Sequence, residues 1–288
     1  MVKSKSRKKS RKSSSKKFPL LAIISPFIVL ALVIAGILFF KNLTAPAYIV
    51  ETDPFFAPFE FYEGTKIKGI DIDITNRAAK KLGQNITIKS ADFSIIIDNV
   101  SAGKVADAGA SSFTITPARA AKVNFTIPYY SSIQYVIYDK NHPINTNADY
   151  INLSDIKGKT IAVETDTTGW IFIDDEIKNG ALVDTNTTLK SYDSAQLAAD
   201  GIFANLNDLA IADSLSAKYI VSKNSNLACL PLYYLDNGID APVQESYAIA
   251  VNKDRPELLE AFNAAITEML ANGEIDQLIQ EYTGFTND

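Results

Sequence analysis

Residues 18–40, FPLLAIISPFIVLALVIAGILFF, run for 23 residues without a charged side chain. A helix needs about 20 such residues to cross a bilayer, and the apolar stretch of a secretory leader is usually about 7–15 long. The run therefore partitions the chain before anything else is read. On its N-terminal side, residues 1–17 hold nine Lys or Arg and no acid. The whole chain has 28 basic and 33 acidic side chains, so the part beyond residue 17 carries 19 against 33. Lys and Arg favour the cytoplasmic face. The pattern predicts a basic cytoplasmic tail at 1–17, a single transmembrane anchor at 18–40 and an acidic body outside the cell. Pro19 and Pro26 fall in the first half of the run and would kink it. Ala-Pro-Ala at 45–47 resembles a small-x-small cleavage site, which leaves a cleaved, secreted form as the alternative.

An acidic body excludes an extended nucleic-acid surface. The single cysteine, Cys229, allows no internal disulfide. With one cysteine and one histidine, His142, in a loop by composition, zinc sites and a Ser-His-acid triad have little to build on. No cofactor is expected.

The body alternates strand and helix patterns. YIVET (48–52) reads as a strand, GIDIDITNRAAKKLG (69–83) as a helix ending at Gly83, NITIKS (85–90) as a strand and FSIIIDNVSAGK (93–104) as a helix. ADAGASS follows as a small-residue strand. This order argues for a mostly parallel sheet with helices on its faces. IQYVIYDK (133–140) is a further strand, and GKTIAVETDTTG (158–169) and LNDLAIADSLSAKYIV (206–221) start second-unit strand–helix turns. SYAIAVNKD (246–254) has period 2, and two amphipathic helices close the chain.

One stretch reads as an anion receptor. In SSFTITPARAAKV, Thr116 is a helix N-cap, Pro117 the first helical residue and Arg119 the third. A helix N-terminus attracts anions, and a guanidinium grips a carboxylate bidentately. Ser112 and Thr114, two apart, would face one side of an extended chain. The same residues also fit a solvated arginine in an ordinary first turn.

TDPFFAPFEF (52–61), GIDIDITNRAAKKLG, SFTITPARAAKVNFTIPYY (112–130), GKTIAVETDTTG, AIADS (210–214) and YAIAVNKDRPELLEAFNAAITEMLANGEIDQLIQEYTG follow in that order. Together they resemble the extracytoplasmic solute-binding proteins of family 3, the receptors of polar amino acid ABC importers. The resemblance covers nearly everything after the anchor. It implies a two-lobed α/β fold of the type II periplasmic-binding-protein kind, with two hinge strands near 133–138 and 244–248. Lobe 1 would be 46–132 with 247–288, and lobe 2 would be 133–246. It implies a monomer that binds a free amino acid and docks on an ABC transporter permease.

By the same resemblance, Arg119 takes the ligand carboxylate, helped by Thr114 and main-chain groups near Ser112 from one lobe and by Thr168 with Thr167 from the other; the two threonines read equally as ordinary turn residues. Asp213 takes the ammonium; otherwise it would be a helix N-cap. Phe56 and Phe93 flank the aliphatic stem, or pack in the core. Asp53 and Glu164 would make an acidic end that favours arginine, lysine or ornithine, with cation–π stacking worth about 0.5–2 kcal/mol. Glutamine or another polar amino acid is the alternative ligand. Asp166 stands where relatives have glycine, which predicts strain in that loop. The fold also hosts a cyclohexadienyl-dehydratase-like enzyme, in which Glu164 would serve as acid or base, and receptor sensor domains; a binder rather than an enzyme is expected.

Overall fold

The computed structural model describes residues 28, 30–36, 48–144 and 149–285. Contacts divide the chain into an N-terminal unit, Met1–Ala45, and a body, Pro46–Asp288. In the first unit residues 30–36 are helical, with Leu30, Leu32, Val33 and Ile34 exposed. No helix among the described residues is long and apolar enough to cross a membrane. The basic tail and most of the 18–40 run lie outside the described residues.

The body begins with β1 (Tyr48–Thr52), then three short strands, β2 (Phe55–Phe56), β3 (Glu60–Glu63) and β4 (Lys66–Lys68), which form a small antiparallel sheet. Helix α1 (Ile70–Leu82) ends at Gly83 in the left-handed region, φ 63°, which glycine adopts at low cost. Then come β5 (Ile86–Ser90), α2 (Phe93–Ala102), β6 (Ala108–Thr114), α3 (Pro117–Lys122) and β7 (Asn124–Phe125). β1 pairs in parallel with both β5 and β6. Ile70, Ile74 and Ala78 of α1 pack on one face of this sheet, and Ile96 and Val100 of α2 belong to a core on the other.

The chain leaves through β8 (Tyr130–Asp139), passes β9 (Ile151–Asn152), and builds β10 (Thr160–Glu164), α4 (Thr168–Lys178), β11 (Thr188–Tyr192), α5 (Ala195–Phe203), β12 (Leu209–Asp213), α6 (Ser214–Lys223), β13 (Leu227–Asp236) and β14 (Ile239–Pro242). β10 pairs in parallel with β11 and β12. Ile173 of α4 packs on one face, while Ala198 of α5 and Ala217 of α6 pack on the other. The chain returns through β15 (Gln244–Val251) to α7 (Pro256–Ala271) and α8 (Glu274–Thr283).

The strand order is β11-β10-β12-β8-β15-β6-β1-β5. Each outer half is parallel, as expected. The centre is not: β8 and β15 run antiparallel to each other and to the strands they meet on either side. They are the crossings between the halves, at the positions assigned to hinge strands. Parallel strands place their C-terminal ends on one edge, and in such sheets ligands bind beyond that edge.

Candidate functional site

All ten residues singled out in the sequence line one cleft of about 480 Å³: Asp53, Phe56, Phe93, Ser112, Thr114 and Arg119 from one side, Glu164, Thr167, Thr168 and Asp213 from the other. Phe93, Thr114, Arg119, Glu164, Thr167, Thr168 and Asp213 sit at strand–helix turns, whereas Asp53 and Phe56 come from the β1–β2 segment and Ser112 from within β6.

Arg119 is held as its local sequence dictates. The Thr116 hydroxyl accepts from the Arg119 amide at 3.2 Å, with Pro117 at the first helical position. The guanidinium carbon lies 5.3 Å from the Phe93 ring centre and 5.4 Å from that of Phe113. It donates to the Thr114 carbonyl and, across the cleft, to the Asp166 carbonyl, both at 3.0 Å. Burial lowers its pKa, opposed by the charges of Glu245, Asp213 and Asp166. Asp166 has φ 62°, in the left-handed region that strains a residue with a side chain, as the sequence reading expected of this loop. The Thr114 and Thr168 hydroxyls meet at 3.4 Å, so the walls touch at this end.

Two expectations need correction. Ser112 does not lie in an extended chain: its φ is 51°, and the register of β6 against β15 shifts beside it. It reaches the cleft through this kink, not through strand alternation. The Thr167 hydroxyl is used locally. It caps α4 by accepting from the Trp170 amide at 3.2 Å and donates to the Glu164 carbonyl at 2.8 Å. Gly169 follows because a Cβ there would stand 2.8 Å from Gln134 Oε1.

Asp213 occupies the N-cap position of α6 without making a cap bond. Its carboxylate instead accepts from Gln134 Nε2 and the Tyr247 hydroxyl. Gln134 Nε2 also donates to Glu245 Oε1 at 3.0 Å. Burial, and then the Glu245 charge, push the Asp213 carboxyl up to about 7. At the other end, Asp53 Oδ2 accepts from the Phe93 amide at 2.9 Å, and Glu164 Oε2 from the Ala195 amide at 3.0 Å. Each carboxylate is 6% exposed and anchored at a helix start by one oxygen. Burial raises the Asp53 carboxyl to about 6, and burial plus the Asp53 charge raise Glu164 well above the usual range. Phe56 forms the wall beside them, stacked on Phe59.

Behind Ser112 lies a support that the sequence reading missed. Glu60 and Asp71 are fully buried. Ser111 and Ser112 donate hydroxyls to Glu60 at 3.1 and 3.3 Å, and the Ser112 amide donates to Asp71 at 2.9 Å. Burial and the neighbouring acid raise Glu60 well above the usual range, and burial raises Asp71 to about 7. A signal existed: Asp71 shares a helix face with Ile74, Thr75 and Ala78, all buried, so an acid stood on the core stripe. Gln134 likewise sits in phase with buried Ser132 and Val136.

These acids set a pH dependence. Unfolded carboxyls titrate near 4, while Asp53, Asp71 and Asp213 titrate at about 6 to 7 in the fold. Across that window the folded chain holds more protons, so stability falls as pH rises. The ligand-free protein is expected to melt on the order of 5 °C lower at pH 8 than at pH 5. A melting temperature that stays level or climbs over that range, in a differential scanning calorimetry series, would refute this.

Comparison with known proteins agrees with this geometry. The chain is 29% identical over 237 residues to the arginine-binding extracellular protein ArtP of Bacillus subtilis, covering 81% of this chain and 85% of that one. It is 30% identical over 233 residues to a probable histidine-binding protein of Campylobacter jejuni, covering 81% and 83%. Among solved structures, it matches the amino acid ABC transporter substrate-binding protein AbpA of Streptococcus pneumoniae, bound to L-arginine, with TM-score 0.72 and 25% identity, covering 85% and 97%. A sequence model of the bacterial extracellular solute-binding proteins, family 3, spans residues 48–285, and the chain belongs to that family.

Proposed function

We propose that this protein is an extracytoplasmic receptor that binds a cationic L-amino acid, of the arginine, lysine or ornithine kind, and hands it to an ABC importer. The observation that carries the reading is the charge count of the cleft. Among the described residues Arg119 is its one basic side chain, against Asp53, Glu164 and Asp213. A bound amino acid neutralises Arg119 with its carboxylate and Asp213 with its ammonium. Asp53 and Glu164 remain, and buried carboxylates require an opposite charge or a proton. A positively charged side chain supplies the former. The names of the relatives point the same way. A polar neutral side chain such as that of glutamine is the second reading, favoured by the raised pKa of both acids: a protonated carboxyl can donate to an amide.

In this reading, residues 46–132 with 247–288 form one lobe and 133–246 the other. They close by rotation about β8 and β15, and the permease recognises the closed form. Residues 18–40 hold the body at the outer face of the membrane. Binding leaves the ligand chemically unchanged, which mass spectrometry of the recovered ligand checks against a dehydratase-like activity.

Glu164→Gln separates cationic from neutral ligands. Loss of one partner of a buried charge pair costs about 2–5 kcal/mol, so arginine should weaken by about 30-fold or more, and glutamine by no more than about threefold. Equal losses for both in calorimetric titrations would reject the cationic reading.

A further inference from the structure

Resting on the cationic reading, we infer that the distal end of the cleft opens into a second chamber that takes side chains continuing past their charged group, such as Nω-alkylated arginines. The walls meet at the carboxylate end, through Arg119 with Asp166 and Thr114 with Thr168. At the other end Phe56 of β2 packs against the alanine core of α5, and the opening lies beside that contact. There Asp53, Phe93 and Glu164 line both the cleft and a second, solvent-open hollow beside it. The acidic pair is therefore a doorway, not a floor.

Glu164 and Asp53 are each held by a single helix amide. Those bonds use one oxygen of each carboxylate, and both residues line the cleft. A guanidinium between them donates to the other oxygen of each. Beyond the doorway the lining includes two exposed apolar side chains, Phe55 from β2 (58% exposed) and Leu197 from α5 (48% exposed). Its rim carries Asp92 and Asp193 and no lysine or arginine. A short alkyl group on the far guanidinium nitrogen enters against Phe55 and Leu197 without displacing the charge from Asp53 and Glu164. A sealed pocket would reject the same group by steric clash.

The test is calorimetric titration of the full chain with L-arginine and with Nω-propyl-L-arginine, and of the Leu197→Trp variant with both. Propylarginine is expected to bind within about tenfold of arginine. Leu197→Trp fills the chamber, and is expected to weaken propylarginine by more than about tenfold while arginine binding holds. Propylarginine weaker than arginine by more than about tenfold on the unmodified protein would overturn the chamber, as would equal effects of the tryptophan on the two ligands. No binding of arginine at all would instead overturn the cationic reading, and the chamber with it.

Discussion

Replacing Arg119 with alanine is expected to weaken binding of the amino-acid ligand by about 30- to 4,000-fold. The range follows from about 2–5 kcal/mol for orphaning one member of a buried, hydrogen-bonded charge pair, at 1.4 kcal/mol per tenfold. The upper part is favoured because no other cation among the described residues lines the cleft: a ligand carboxylate would meet only Asp53, Glu164 and Asp213. Arg119→Lys keeps the charge but loses the planar fork and its contact with the stacked Phe93 and Phe113 rings. It should recover only part of the affinity. The fold should survive both changes, since α3 buries no residue and Arg119 is only half-buried. Calorimetric affinity within threefold of the unmodified protein, in a variant with an unchanged circular dichroism spectrum, would sink the carboxylate role.

Asp213→Asn is expected to move affinity and stability in opposite directions. Binding should weaken by a similar factor, because the ligand ammonium loses its counter-charge. The empty protein should become more stable at pH 8. Asp213 titrates at about 7, pushed up by burial and Glu245, so at pH 8 it is held ionised at a cost that rises with pH through that value. Asparagine removes the charge and can still accept from Gln134 and bond the Tyr247 hydroxyl, the two groups that hold the aspartate. A gain of 1 kcal/mol corresponds to about 2–4 °C for a domain of this size. The gain should vanish at pH 5, where the aspartic acid is already neutral. A melting temperature that drops at pH 8 would show that the carboxylate stabilises the empty cleft.

Where a local pattern was long enough, the sequence showed the fold. YIVET is β1, and Thr116-Pro117 starts α3 as a cap followed by proline. β2, β3 and β4 escaped because two to four residues carry no measurable alternation. β13 escaped because Pro231 argues against a strand, yet it pairs with Tyr135 of β8. α5 contains Gly201, which weakens a helical reading; a Cβ there would overlap Asn207 Oδ1, so packing requires the glycine. Most cleft residues were legible because they lie in compact strand–helix turns with their own motifs, and Asp53 and Phe56 because they fall in the TDPFFAPFEF motif. Gln134 and Glu245 were not, since they are 111 residues apart and meet only when β8 and β15 cross. Nor could spacing reveal that Ser112 leaves the extended region, because that depends on Asp71 and Glu60 gripping it from behind.

Asp53 and Glu164 are carried by opposite halves of the molecule, and the Asp53 charge raises the cost of ionising Glu164. In the proposed closure, two like charges brought together by a rotating jaw would behave as a compressed spring. A jaw that swings shut on nothing, or on an anion, works against that spring; one that shuts on a positive guest is released from it. The sign of the cargo is thus weighed by the act of closing, before any fine contact is made.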